Sequence, residues 1–146
     1  MSDSAKPPTK LAGGKFEIDK KIGAGCFGEV WRGVSVESKE GVAVKFESNN
    51  GRGHALQLEH EYKILKLVAT PTQPQGFATV YHWGQEGHHI CMVMELLGRS
   101  LEDRLSSGNG NGKFPVPTTL LIAEQVLHRI EYLHSKCIIH RDIKPE

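Results

Sequence analysis

Three glycines set the strongest constraint on this chain. Gly23-Ala24-Gly25-Cys26-Phe27-Gly28-Glu29-Val30 fits the pattern G-x-G-x-x-G-x-V. Glycine permits backbone angles and close approaches that a Cβ forbids, so the backbone N–H groups of such a loop can face an anionic ligand. The same pattern opens a helix in dinucleotide-binding βαβ units. Here Val30-Trp31-Arg32 follows, which reads as a strand. A strand on each side favours reading the glycines as the turn of a β-hairpin that covers phosphates, over the parallel, doubly wound fold. A ligand-free glycine hairpin remains the plain alternative.

The rest of the chain reads outward from that hairpin. Residues 1–14 are small and polar, with Pro7-Pro8 and Gly13-Gly14, and are expected to form a disordered lead-in. Phe16 to Gly23 is a first strand, Glu29 to Val36 a second and the β-branched Val42 to Phe46 a third. Asn49-Asn50-Gly51-Arg52-Gly53 breaks the pattern, and a helix is expected from about His54 to Val68, ended by Thr70-Pro71 and Gln73-Pro74. Phe77 to Trp83 and His89 to Leu97 read as two more strands around a Gly84–Gly87 turn. Ser100 caps a short helix, Ser106 to Gly112 is a loop, and Pro117 to Ser135 is a long amphipathic helix carrying Leu120, Leu121, Val126, Leu127, Ile130 and Leu133. The expected architecture is α+β: a five-stranded antiparallel sheet with one packed helix over residues 15–95, then the first helices of a second, helical lobe over residues 96–146.

Bulk properties remove several classes of function. At 146 residues the chain can build one real core. A net charge of +1 argues against neutralising many nucleic-acid phosphates. No apolar run approaches the roughly 20 residues of a membrane span, and the N-terminus lacks the layout of a signal peptide. Cys26, Cys91 and Cys137 are scattered and odd in number. They read as reduced thiols of a cytoplasmic or also nuclear protein, each a small buried hydrophobe; Cys26, at the hairpin tip, is expected to be partly exposed and to fill space.

Lys45 alternates with Val44 and Phe46 and so shares a strand face with Ala43. At 100° per residue, Leu58, Ile64, Leu65 and Val68 all fall within about 60° of Glu61. Glu61 therefore stands in the apolar stripe of its helix, where an unpaired carboxylate is costly, and is expected to pair with Lys45. Glu59 and Lys63 face the other way as an exposed pair. A rotated helix with Glu61 solvated, or an exposed strand lysine, is the alternative. Ile90 to Leu97 is an apolar strand running into Gly98. Backbone groups of Glu95 and Leu97 there suit a flat heteroaromatic ring, with Met94 behind it and Ile22, Val30 and Ala43 as walls; Met94 also suits plain core packing.

The last residues, His140-Arg141-Asp142-Ile143-Lys144-Pro145-Glu146, follow the long helix. H-R-D-I-K-P-E opens the loop in which protein kinases hold the Asp that accepts the substrate hydroxyl proton. With Val42-Ala43-Val44-Lys45 and the glycine hairpin, it makes the chain resemble the N-terminal half of a eukaryotic-type Ser/Thr protein kinase. Met94 to Asp103 and Ile130 to Lys136 are similar to the casein kinase I family, and the likeness covers about Phe16 to Glu146.

The resemblance implies ATP and magnesium (Mg2+) as cofactors. It implies transfer of the γ-phosphate to serine or threonine of proteins, often acidic or already phosphorylated ones. It assigns Asp142 as base and Lys144 as the cation steadying the transferred group. It assigns Gly23, Gly25 and Gly28 to the phosphates, Lys45 to the α- and β-phosphates, and Glu61 as its partner. Such kinases hold the metal with an Asn and a D-F-G Asp that lie past Glu146, so no metal ligand is assigned. By itself the chain is expected to bind nucleotide weakly without turnover, and a truncated decoy or scaffold is the alternative reading.

Overall fold

The structure is a computed structural model that describes residues 7–25, 28–48, 57–71, 74–107 and 112–146. The chain divides into two compact units, Met1–Leu97 and Gly98–Glu146. That boundary falls two residues after the one expected from sequence.

The first unit is a six-stranded antiparallel sheet with one helix. In chain order the elements are β1 (Lys10–Leu11), a single 3-10 turn (Ala12–Gly14), β2 (Phe16–Gly25), β3 (Gly28–Ser35), β4 (Gly41–Ser48), α1 (Gln57–Val68), β5 (Val80–Glu86) and β6 (His89–Glu95). The spatial order is β1-β2-β3-β4-β6-β5. Strand alternation gives the sheet two apolar faces. Val42, Val44, Phe46, Cys91 and Val93 point one way and gather Leu11. Ala43, Met92 and Met94 point the other way and gather Leu58 of α1, with Tyr62 and Leu65 packed against them. Tyr62 stacks on Trp83 of β5 with ring centroids 4.7 Å apart and planes within 8°. Such a pair adds about 0.5–1.5 kcal/mol beyond its buried area.

Three expectations for this unit change. Of the expected disordered lead-in, residues 10–14 carry regular structure, and residues 1–6 lie outside the described residues. Lys10 and Leu11 pair with Glu17 and Phe16 as a sixth, two-residue strand, and Leu11 is fully buried. One leucine entering an apolar face is enough to fix a short polar segment, which composition does not reveal. The β5–β6 hairpin turns at Gly87-His88 and not over Gly84–Gly87. Glu86 pairs with His89 and Gly84 with Cys91, and Gly87 takes the positive φ (62°) that a two-residue turn requires. Phe77 to Thr79 lie ahead of β5 instead of within it. The tip residue Cys26, the Asn49–Gly53 break and the helix start near His54 lie outside the described residues.

The second unit holds α2 (Leu101–Ser107) and α3 (Val116–Ser135). Ser100 caps α2 reciprocally: the Asp103 N–H donates to Ser100 Oγ, and the Ser100 N–H donates to Asp103 Oδ2, both at 3.0 Å. Pro115 and Pro117 sit where a helix start tolerates a missing N–H. At the other end the Ile138 N–H reaches Leu133 O and the Cys137 N–H reaches His134 O, with Cys137 at φ 59°. This is a Schellman closure with cysteine at its left-handed position. Cys137 is therefore exposed and not the buried hydrophobe expected, whereas Cys91 is buried. Of α3, only Leu133 is buried; Leu120, Leu121 and Leu127 are each at least 60% exposed.

Candidate functional site

Register builds the site on the α1 face of the sheet. Val30 of β3 lies opposite Lys45 of β4, which lies opposite Met92 of β6; Ala43 lies opposite Met94. Residues opposite one another in antiparallel strands share a face. Val30, Lys45, Ala43 and Met94 therefore line the same surface, and α1 packs over it through Leu58.

Lys45 Nζ donates to Glu61 Oε1 at 2.5 Å, each side chain about one-third exposed. This is the pair predicted from the helical phase. Glu59 pairs with Lys63 at 2.7 Å on the outer side of α1. The phase of α1 is fixed further by a residue that sequence reasoning passed over. Glu47 of β4 accepts the Gln57 N–H on Oε1 (3.2 Å) and the Leu58 N–H on Oε2 (2.9 Å). A carboxylate at a helix N-terminus satisfies free N–H groups and complements the helix dipole. Capping signals are sought within three or four residues of a helix start, and Glu47 is ten residues upstream.

A cavity of about 200 Å3 opens here, lined by Gly28, Glu29, Val30 and Lys45 on the sheet and by Gln57, Leu58 and Glu61 on α1. It is smaller than the roughly 300–1,000 Å3 of a site that swallows a small molecule. It brings together Gly28, Val30, Lys45 and Glu61 of the predicted residues. Gly28 closes the edge at φ 130°, and a Cβ there would stand 2.0 Å from Phe46 O, so only glycine fits. Gly25 pairs with Gly28 and Gly23 with Val30 across the hairpin. Glu29 bonds to Lys21 Nζ (2.5 Å) and Trp31 Nε1 (3.0 Å). The lysine bond first, then the indole, holds its carboxyl below the ordinary value of 4.5.

Ile22, Ala43, Met94, Glu95 and Leu97 lie outside that cavity. Ile22 sits at a register shift between Lys21 and Gly23, a bulge that leaves it exposed. Ala43 and Met94 belong to the α1-side core. The Glu95 N–H donates to Thr79 O (2.8 Å) while its carboxylate accepts the Thr79 N–H (3.2 Å). Leu97 is exposed at the end of the unit.

In the second unit Asp142 and Lys144 are both exposed, with Lys144 Nζ 3.4 Å from Asp142 Oδ2. Arg141 takes a left-handed φ of 65°, and the Asp142 N–H donates to His140 Nδ1 at 3.2 Å. The Glu102 N–H donates to Pro145 O (3.0 Å), tying the loop to the start of α2.

The family model of the protein kinase domain matches residues 16–146. A sheet lobe with a glycine hairpin, a lysine–glutamate pair beneath it and an H-R-D loop define a phosphoryl-transfer protein, and the chain belongs to the protein kinase family. Membership makes it a kinase that works with ATP and a divalent metal on protein substrates. No described helix is long and apolar enough to cross a membrane. The residues present do not fit the divalent ion. Magnesium takes oxygen ligands, and among the described residues the one convergent group is His82, Glu86 and Cys91, with a single carboxylate.

Proposed function

We propose that the chain carries the nucleotide-binding and catalytic-loop residues of a casein kinase I-like kinase that phosphorylates serine or threonine in proteins. The observation that carries this reading is Lys45, held by Glu61 at 2.5 Å in a cavity edged by Gly28. A lysine fixed there neutralises the α- and β-phosphates of ATP without reorganising, and positioning with electrostatics is most of phosphoryl-transfer catalysis. Backbone N–H groups of Gly23, Gly25 and Gly28 cover the phosphates. Ile22, Val30 and Ala43 wall the adenine, Met94 backs it, and the backbone of Glu95 and Leu97 meets its edge. Asp142 accepts the hydroxyl proton of the acceptor, and Lys144 steadies the transferred group. Serine or threonine as acceptor, and a preference for acidic or phosphorylated sequences, rest on the likeness of Met94–Asp103, Ile130–Lys136 and His140–Glu146 to casein kinase I.

The test is ATP titration by calorimetry, with transfer of labelled phosphate to an acidic serine peptide and to a matched tyrosine peptide. Lys45→Met should abolish nucleotide binding while leaving the circular dichroism spectrum unchanged. Unaltered binding in that variant would sink the proposal. A second reading, nucleotide binding without turnover, is favoured by the absence of a convergent oxygen-ligand group among the described residues. It predicts heat from ATP but no labelled peptide, and transfer that disappears in Asp142→Asn would refute it.

A further inference from the structure

The sheet face away from α1 carries a second group of reactive side chains that takes no part in the kinase site. Alternation along β5 puts His82, Gly84 and Glu86 on that face, and register sets Gly84 directly opposite Cys91 of β6. Glycine between the two larger residues leaves a gap, and the His82 ring leans into it: a Cβ on Gly84 would lie 3.1 Å from His82 Nε2. One nitrogen of His82, one carboxylate oxygen of Glu86 and Cys91 Sγ all lie within 4.8 Å of one another. His82 Nε2 is buried without a hydrogen-bond partner, and Glu86 Oε1 is too far to serve, at 3.8 Å. A buried nitrogen with nothing to bond is rare in a native fold and calls for an explanation.

We propose that His82 Nε2, the Glu86 carboxylate and Cys91 Sγ bind a zinc-class divalent cation. Thiolate and imidazole donors select zinc over magnesium or calcium, which take oxygens. Thiolate and carboxylate together balance the charge of a divalent ion, so the filled site is near neutral, as its setting among Leu11, Phe46 and Val93 demands. Coordination through the thiolate releases the Cys91 proton to solvent. Bond lengths to zinc of about 2.0–2.3 Å set donor–donor separations of roughly 3.3–3.7 Å. The present spacing closes to that by rotation of His82 and Glu86, which lie on edge strand β5 and are partly exposed. Water completes the tetrahedron. The Ala12 N–H already orients Glu86 Oε1 at 2.7 Å, the outer-shell support that metal ligands use. A bound ion would tie β5 to β6 and, through Ala12, to the segment that carries Leu11.

Cobalt(II) and zinc titrations of the purified chain test this, with a chromophoric chelator as competitor. The expected result is one tight equivalent, a thiolate-to-cobalt charge-transfer band in the near ultraviolet and a zinc-dependent rise in melting temperature. Cys91→Ala should abolish the band. Since that residue lies in the core, His82→Gln is the second variant. It should lower zinc affinity by more than the roughly 10–100-fold that losing an outer-shell partner costs, and remove the rise in melting temperature. Binding without the band, or equal affinity in folded His82→Gln, would place the metal elsewhere and overturn the proposal. ATP titration of the same variants should be unchanged.

Discussion

At the scale of single residues, two glycines of the first unit separate strain from space. Both have positive φ, but a Cβ on Gly28 meets Phe46 O at 2.0 Å, whereas a Cβ on Gly87 meets nothing within 4 Å. Gly87→Ala should therefore cost only the left-handed backbone penalty, about 1–2 kcal/mol. Gly28→Ala should cost more, because the β3–β4 backbone must part. Urea unfolding of the two variants checks the order, and equal midpoints would contradict it. Lys45 and Glu61 make the opposite point. Their pair is about one-third exposed, so its worth to stability is at most about 1 kcal/mol. Glu61→Gln should barely move the melting temperature and should weaken ATP binding, since a lysine without its partner is no longer held in one place. The phase of Glu61 was legible in the sequence because the helical period alone sets it. That Lys45 stands opposite Val30 and Met92 was not, because strand register is set by pairing across the chain.

At the scale of elements, α1 is held by packing on one side and by a cap at its start. Glu47→Ala removes both acceptors of the Gln57 and Leu58 N–H groups. The loss should be about 0.5–2 kcal/mol, the range for a helix N-cap. Faster hydrogen exchange at those amides would report it, and protection equal to the parent chain would contradict it. The β2–β3 hairpin carries an acid-sensitive contact. The carboxyl of Glu29 is held below its ordinary value of 4.5 by Lys21 and Trp31. Its stabilisation is fully present above that ordinary value and is lost as pH falls through the lowered folded value. Glu29→Gln should make the stability of the chain less sensitive to acid in that window, as read from denaturant midpoints across pH; an unchanged pH profile would count against it. Sequence located both strands of this hairpin but not the contact, since Lys21, Glu29 and Trp31 meet only once the turn has closed.

At the scale of the whole molecule, α3 presents Leu120, Leu121 and Leu127 to solvent, and Ile139 and Ile143 are exposed beyond it. Apolar patches of that kind drive association, so the 146-residue chain should self-associate as its concentration rises. Replacing the three leucines by glutamate should restore a monomer in light scattering, and a monodisperse parent chain would show the prediction wrong. The sequence by itself determined the antiparallel sheet with its helix, the pairing of Lys45 with Glu61, the capped α2 and the kinase loop. Each follows from a short-range period or a contiguous motif, which a chain carries wherever its ends go. Only the tertiary structure decided that Leu11 adds a strand, that Glu47 caps α1, that the hairpin turns at Gly87, that Cys137 is exposed and that His82, Glu86 and Cys91 converge. Most of these depend on which distant segments meet. That choice is made by the burial of two apolar faces at once, a property of the folded sheet and of no single stretch of residues.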